Sequence, residues 1–227
     1  MAAIARTPVK VCGLTREQDV DAAVAAGVDA IGLVRYPPSP RYVTAERAAE
    51  LASRLPPFIT PVLLFVNADP HDIAATAAGV PGAVLQFHGD ETPEQCWIGA
   101  GHGALSFLRA ARIPLDPRAR RPDLGQFARD YARARALLLD AQVAGYGGGG
   151  KSFDWSLLPE RIDAHVVLSG GLTADNVGEG IAALRPRVRT LAVDVSSGVE
   201  SSKGIKDEHK IIDFVAAVRE ADEKAVR

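Results

Sequence analysis

Short, nearly unbroken apolar runs recur along the whole chain, and each is followed by a stretch with helical spacing. The runs fall at 9–12, 30–34, 60–66, 83–87, 105–110, 136–140, 166–169 and 190–195. A strand with one face in water alternates apolar and polar side chains. A strand covered on both faces does not. Continuous runs therefore predict a parallel sheet buried under helices. Eight such units in 227 residues fit an α/β fold, a single compact (β/α)8 barrel of the TIM class. An open doubly wound sheet meets the same periodicity, which by itself does not close the sheet. The chain has no low-complexity linker or break in composition, so one domain over 1–227 is expected rather than two small ones.

Local signals agree with this order. Thr15 followed by Gln18 reads as a capping box opening a helix to Ala26, with Gly27 ending it. Thr44 opens the next helix, which closes on Pro56 and Pro57. Pro70 suits the first position of a helix over 69–78. The last amphipathic helix covers 209–219. Two units are weak. The segment after Ala110 is polar and proline-bearing to about Asp123, and the one after Phe153 soon meets Pro159.

Basic and acidic residues number 26 and 28 and are interspersed, for a net charge of −2. No electropositive face for nucleic acid follows from that balance. The arginines at 118–121 read as a solvated loop. Two cysteines, Cys12 and Cys96, are too few for a disulfide scaffold. The N-terminal segment lacks an apolar signal core, and no apolar stretch is long enough to span a bilayer. The chain reads as cytoplasmic, with free thiols.

In a parallel barrel, working residues sit at strand C-terminal ends and in the loops that follow. Cys12 ends the first strand, where it is either a small buried hydrophobe or a reactive thiol. Asp140 follows three leucines at the end of the sixth. It is either a turn residue or a partly desolvated acid with a raised pKa and a proton to donate. Ser169-Gly170-Gly171-Leu172-Thr173 and Asp194-Val195-Ser196-Ser197-Gly198-Val199-Glu200 follow strands seven and eight. They are two ordinary tight turns or a barrel phosphate site; their pairing at these strands favours a phosphorylated ligand. Arg41 stands in a proline-stiffened loop, as a surface residue or as a bidentate partner for a carboxylate. Gln86 and His88 share one face of strand four; a structural histidine is the alternative. Residues 145–152 match G-x-x-x-x-G-K-[ST] letter for letter. A P-loop must lead into a solid helix, and Pro159 cuts that short, so Gly147, Gly148, Gly149 and Gly150 read as a lid. No cluster has metal-ligand spacing, and neither metal nor cofactor is expected.

Seven segments, taken in order, resemble the phosphoribosylanthranilate isomerase family, barrel enzymes of tryptophan biosynthesis. They are Lys10-Val11-Cys12-Gly13-Leu14-Thr15, Pro38-Ser39-Pro40-Arg41-Tyr42-Val43, Gln86-Phe87-His88-Gly89-Asp90-Glu91, Leu138-Leu139-Asp140, the 147–155 segment, Ser169-Gly170-Gly171-Leu172, and 194–200. Each is weak alone; the ordered set is specific. The resemblance implies Cys12 as general base and Asp140 as general acid. It places Arg41 at the anthranilate carboxylate, Asp194 at the sugar hydroxyls, and Gln86 and His88 in the substrate pocket. Gly170, Gly171, Ser196, Ser197 and Gly198 fall in phosphate-gripping segments. The implied reaction is an Amadori rearrangement of a phosphorylated small molecule, with neither nucleic acid nor membrane as partner and a monomeric or homodimeric assembly. Arg35, Gly149 and Lys203 depart from the family pattern, at the pocket rim and the lid.

The chemistry needs Asp140 protonated and Cys12 as thiolate, which predicts a coupled pair. Lys10 shares a face with Cys12, and is either a thiolate-favouring ammonium or half of a structural ion pair. An indole-glycerol-phosphate synthase would use lysine and glutamate, and a sugar-phosphate epimerase other acid and base pairs. A non-catalytic sensor would bind without turnover.

Overall fold

The computed structural model describes residues 6–116, 118–142 and 152–225. Eight strands close into a parallel barrel in sequence order: β1 Val9–Cys12, β2 Ala30–Val34, β3 Thr60–Phe65, β4 Val84–Phe87, β5 Phe107–Pro114, β6 Ala136–Gln142, β7 Ile162–Leu168 and β8 Val188–Val195. Closure comes from β1 pairing with β8, Lys10 opposite Asp194. The open-sheet alternative is thereby removed.

Helices cover the barrel: α1 Glu17–Ala26, α2 Ala45–Ala52, α3 Pro70–Ala78, α4 Pro93–Gly99, α5 Leu124–Asp130, α6 Val177–Leu184 and α7 Glu208–Lys224. Thr44 caps α2 by accepting from the Arg47 N–H, and Asp69 caps α3 ahead of Pro70. Gly27 ends α1 in the left-handed region. Thr15 does not cap α1. Its hydroxyl donates to the Gly204 carbonyl, and Arg16 holds the cap position without a side-chain bond. The actual capping box is Thr92 with Gln95, at α4. As expected, the unit after β6 is short in helix: among the described residues it has a 3-10 turn, Trp155–Leu157. No P-loop helix follows Ser152, which removes the structural support for a nucleotide-binding loop.

Alternation along each strand divides the interior in two. Val9, Val11, Leu63 and Phe65 face outward and pack with Leu51, Ile73, Phe214 and Val218 of the helices. Inside the barrel, Ala110, Leu138 and Val167 form one apolar cluster, and Cys12, Val34, Leu64 and Val66 another. Toward the C-terminal ends of β1, β4, β6 and β8 the inward side chains Lys10, Gln86, Asp140 and Asp194 are polar, and they build the site. A hairpin of β9 Glu200–Ser202 and β10 Ile205–Lys206 follows β8. Both cysteines are free and buried. Among the described residues, no helix is long and apolar enough to cross a membrane.

Candidate active site

The strand ends on the C-terminal side of the barrel surround one pocket. Cys12, Arg41, Gln86, His88, Asp140, Ser169, Asp194 and Ser196 all line it. The residues singled out at strands one, four, six and eight are thus brought together, with Arg41 from the loop after β2.

On the β1–β8 side the groups are charged. Lys10 Nζ donates to Asp194 Oδ1 at 2.8 Å, and both side chains are buried. Ser169 Oγ donates to Asp194 Oδ2 at 3.2 Å. The Lys10 ammonium and the Cys12 thiol lie together over Gly32, where a Cβ would stand 2.5 Å from Sγ and 2.9 Å from Nζ. Burial pushes the Cys12 thiol above its ordinary value. Lys10 opposes that shift through charge and a hydrogen bond without overcoming it, and Asp194 adds to it. Burial pulls Lys10 down, but Asp194 and Cys12 outweigh it and hold Lys10 above its usual range. Lys10 therefore serves both readings the sequence left open: half of an ion pair, and neighbour to the thiol. The carboxylate acting on Cys12 is Asp194, where the sequence had suggested Asp140, because β8 is the strand beside β1.

Arg41 is buried and already paired. Its Nε and Nη2 donate to Glu200 Oε1 and Oε2 at 2.7 and 2.8 Å. The Nη1 side of the guanidinium has no acceptor among the described residues. Its stem crosses the end of β1 at Gly13, which has φ +80°, and a Cβ there would stand 2.4 Å from Arg41 Cδ. Lys206 Nζ donates to Glu200 Oε1 and to the Ser196 carbonyl, each at 3.0 Å. Burial pushes the Glu200 carboxyl up, but Arg41 and Lys206 outweigh this and hold it below its ordinary range. Arg41, Glu200 and Lys206 together keep one net positive charge. Arg35, one of the departures, braces the same loop: it donates to the Val43 carbonyl at 2.6 Å and stacks over Tyr42. Lys203 is exposed at the hairpin tip.

On the β4–β6 side, Gln86 Nε2 and His88 Nδ1 are 2.9 Å apart, and His88 Nε2 lies 2.9 Å from Asp140 Oδ2. Arg109, which the sequence reading did not single out, holds the end of β4. It donates to the carbonyls of Phe87 and Gly89 and pairs with Glu91 at 3.3 Å.

The turns after β7 and β8 touch each other. A Cβ at Gly198 would fall 1.9 Å from the Leu172 carbonyl oxygen, so only glycine allows this approach. Gly170 and Gly171 both have positive φ, and Asn176 Nδ2 donates to the Gly171 carbonyl at 3.0 Å. Ser196 Oγ donates to the Cys12 carbonyl at 3.0 Å, joining this corner to β1. Ser197 begins a 3-10 turn, Ser197–Val199. The proposed lid, Gly147, Gly148, Gly149 and Gly150, lies outside the described residues.

Lys206 and Glu200 carry no strand-end signal. They enter through the β9–β10 hairpin, and Glu200 meets Arg41 across 159 positions of sequence. Glu200 closes the 194–200 segment that the sequence singled out, and nothing in the sequence pointed to Lys206.

Residues 9–217 match the family model for N-(5'phosphoribosyl)anthranilate (PRA) isomerase. The N-(5'-phosphoribosyl)anthranilate isomerase of Dechloromonas aromatica is 57% identical over 220 residues, covering 96% of this chain and 99% of that protein. The corresponding protein of Methylibium petroleiphilum is 58% identical over 217 residues, covering 96% of each. Phosphoribosyl anthranilate isomerase from Thermotoga maritima superposes with a TM-score of 0.81 at 39% identity, covering 94% of this chain and 99% of that one. A solved phosphoribosyl anthranilate isomerase in complex with reduced 1-(o-carboxyphenylamino)-1-deoxyribulose 5-phosphate matches at 0.79 and 36% identity over the same shares. On this evidence of sequence, fold and matched length, the chain belongs to the N-(5'-phosphoribosyl)anthranilate isomerase family.

Proposed function

We propose that this chain, one barrel domain over residues 1–227, converts N-(5'-phosphoribosyl)anthranilate to 1-(2-carboxyphenylamino)-1-deoxy-D-ribulose 5-phosphate in tryptophan biosynthesis. The observation that carries the mechanism is the sharing of one pocket by Cys12 and Asp140, at the ends of β1 and β6.

Asp140 gives a proton to the furanose ring oxygen as its bond to C1′ breaks. The nitrogen lone pair forms the C1′=N bond of a Schiff base, which acidifies the C2′ proton. Cys12 takes that proton, the electron pair of the C2′–H bond forms the C1′=C2′ bond of an enolamine, and the C1′=N pair returns to nitrogen. The enolamine then becomes the ketone: the C2′ hydroxyl loses a proton and C1′ gains one. Protons are conserved over the cycle, so the chain's own acid and base suffice.

Arg41 receives the anthranilate carboxylate on its Nη1 side, because Glu200 occupies the other edge. Asp194, fixed by Lys10 and Ser169, faces the sugar hydroxyls. Gly170, Gly171, Ser196, Ser197 and Gly198 receive the phosphate, at the place where barrels hold phosphate. Gln86 and His88 support the acid. Neither nucleic acid nor membrane is a partner, and the setting is the cytoplasm. The assembly is a monomer or homodimer; one solved relative comprises monomers generated from the dimeric Thermotoga maritima enzyme.

Phosphoribosylanthranilate made in situ and mixed with the protein tests this. Its anthranilate fluorescence should decay at a rate proportional to protein concentration. No decay above the uncatalysed rate, with the ligand bound, would instead support a sensor.

A further inference from the structure

We infer that Gln86 and His88 are positioning residues for Asp140: Gln86 keeps the His88 proton on Nε2, and that proton holds Oδ2 so that Oδ1 is the oxygen from which Asp140 gives its own. The inference rests on Asp140 acting as the acid in the proposed reaction.

An amide nitrogen donates and has no lone pair to offer. Gln86 Nε2 faces His88 Nδ1 at 2.9 Å, so Nδ1 is the acceptor. A neutral imidazole has one N–H, which must then be on Nε2. Nε2 faces Asp140 Oδ2 at 2.9 Å and donates to it. Both ring nitrogens are thereby used by protein groups, which leaves His88 no polar ring atom for a ligand. Its work goes through Asp140.

An acid whose Oδ2 accepts an N–H carries its proton on Oδ1. That atom lies toward the turn after β7: a Cβ at Gly170 would stand 3.1 Å from it. When Asp140 loses the proton, the bond from Nε2–H becomes charge-assisted and shortens. The product of proton transfer is thus favoured with no change in the charge of His88. Gln86 is fully buried, and its Oε1 has no hydrogen-bond partner among the described residues. Burying that oxygen unpaired costs desolvation, which an apolar residue would avoid. The tautomer of His88 is what the amide secures in return. With the amide turned over, Oε1 would draw the proton to Nδ1. Nε2 would then accept from Asp140 and hold the acid's proton away from substrate.

Nitrogen-15 NMR of the His88 imidazole in the full-length protein reads the tautomer directly. The wild type should show a protonated Nε2 and a bare Nδ1, and Gln86→Glu should move a proton onto Nδ1. In turnover, Gln86→Met and His88→Met should lower kcat by about tenfold to a hundredfold, the range for partners that orient a reacting group, with little change in KM. His88→Gln places an amide N–H near the former Nε2, and should recover part of the loss seen in His88→Met. Circular dichroism confirms that each variant folds; the wild-type NMR arm is independent of variant folding. A wild-type His88 protonated on Nδ1 overturns the inference, as does full turnover in both Met variants. If Asp140→Asn turns over normally, the acid reading itself fails. If Asp140→Asn is inactive while the Met variants are fully active, only this inference fails.

Discussion

On the β1–β8 side of the pocket, Cys12 sits among full charges: Lys10 bonded to Asp194, and Lys206 bonded to Glu200. On the β4–β6 side, Asp140 ends a chain running from the Gln86 amide through the His88 ring, uncharged in the arrangement we infer. The difference fits the roles proposed for the two groups. A thiol that gives up a proton in a dry site needs a nearby cation to offset burial. A carboxyl that must hold a proton and then release it needs a donor that serves both forms, which a neutral N–H does without leaving a charge unpaired.

The charged side should break more severely. Lys10→Met leaves Asp194 buried without its ammonium, and should destabilise the fold by about 3–5 kcal/mol. It should also slow iodoacetamide alkylation of Cys12 at a given pH, because Lys10 opposes burial of the thiol more strongly than Lys206 does. Unchanged alkylation would separate Lys10 from the chemistry.

Next comes Glu200→Gln, with a loss of roughly 2–4 kcal/mol near pH 7 from two cations left under-compensated. Glu200 is held below its ordinary 4.5. A depressed carboxyl contributes stability above its unfolded value and loses it as pH falls through the folded value. The gap between wild type and Glu200→Gln in urea unfolding should therefore narrow below that ordinary value. A constant gap down to about pH 3 would contradict the linkage.

A smaller effect is expected at the corner joining the two sides. Gly198→Ala places a methyl against the Leu172 carbonyl, and should cost about 1–3 kcal/mol by overpacking while weakening inorganic phosphate binding in calorimetry. Unaltered phosphate binding would move the phosphate away from this turn. The smallest effect belongs to Arg189→Ala, which removes an exposed pair with Asp163. Thermal midpoint and turnover should both stay at wild type.

Much of this was legible in the sequence. The bounds of β1 and β2 follow from their apolar runs, and the inward face of Lys10 and Cys12 follows from strand alternation. The start of β7 was hidden because Asp163 and His165 interrupt the apolar run. β5 extends past Ala110 to Pro114 because Arg112 and its neighbours still pair with β6, although Arg112 breaks the pattern. Thr15-Gln18 and Thr92-Gln95 carry equivalent capping signals, and a carbonyl from the distant β9–β10 hairpin captured the Thr15 hydroxyl. Cys96 is the opposite case. Like Cys12 it is a buried thiol, pushed up to about 12 by burial, yet it lies on α4 away from the pocket. Strand-end position distinguished the two cysteines. The pairing of Arg41 with Glu200 could not be read, because it depends on how a hairpin folds back over the barrel.

One acid and one base, on opposite walls, are proposed to act on a ligand held by other groups. Cys12→Ala and Asp140→Asn, each assayed for turnover and for calorimetric binding of reduced 1-(o-carboxyphenylamino)-1-deoxyribulose 5-phosphate, test it most directly. Binding should stay within several-fold of wild type for both, with kcat lower by about a thousandfold or more, within the range for loss of a general acid or base. Turnover within tenfold of wild type in either variant would contradict it.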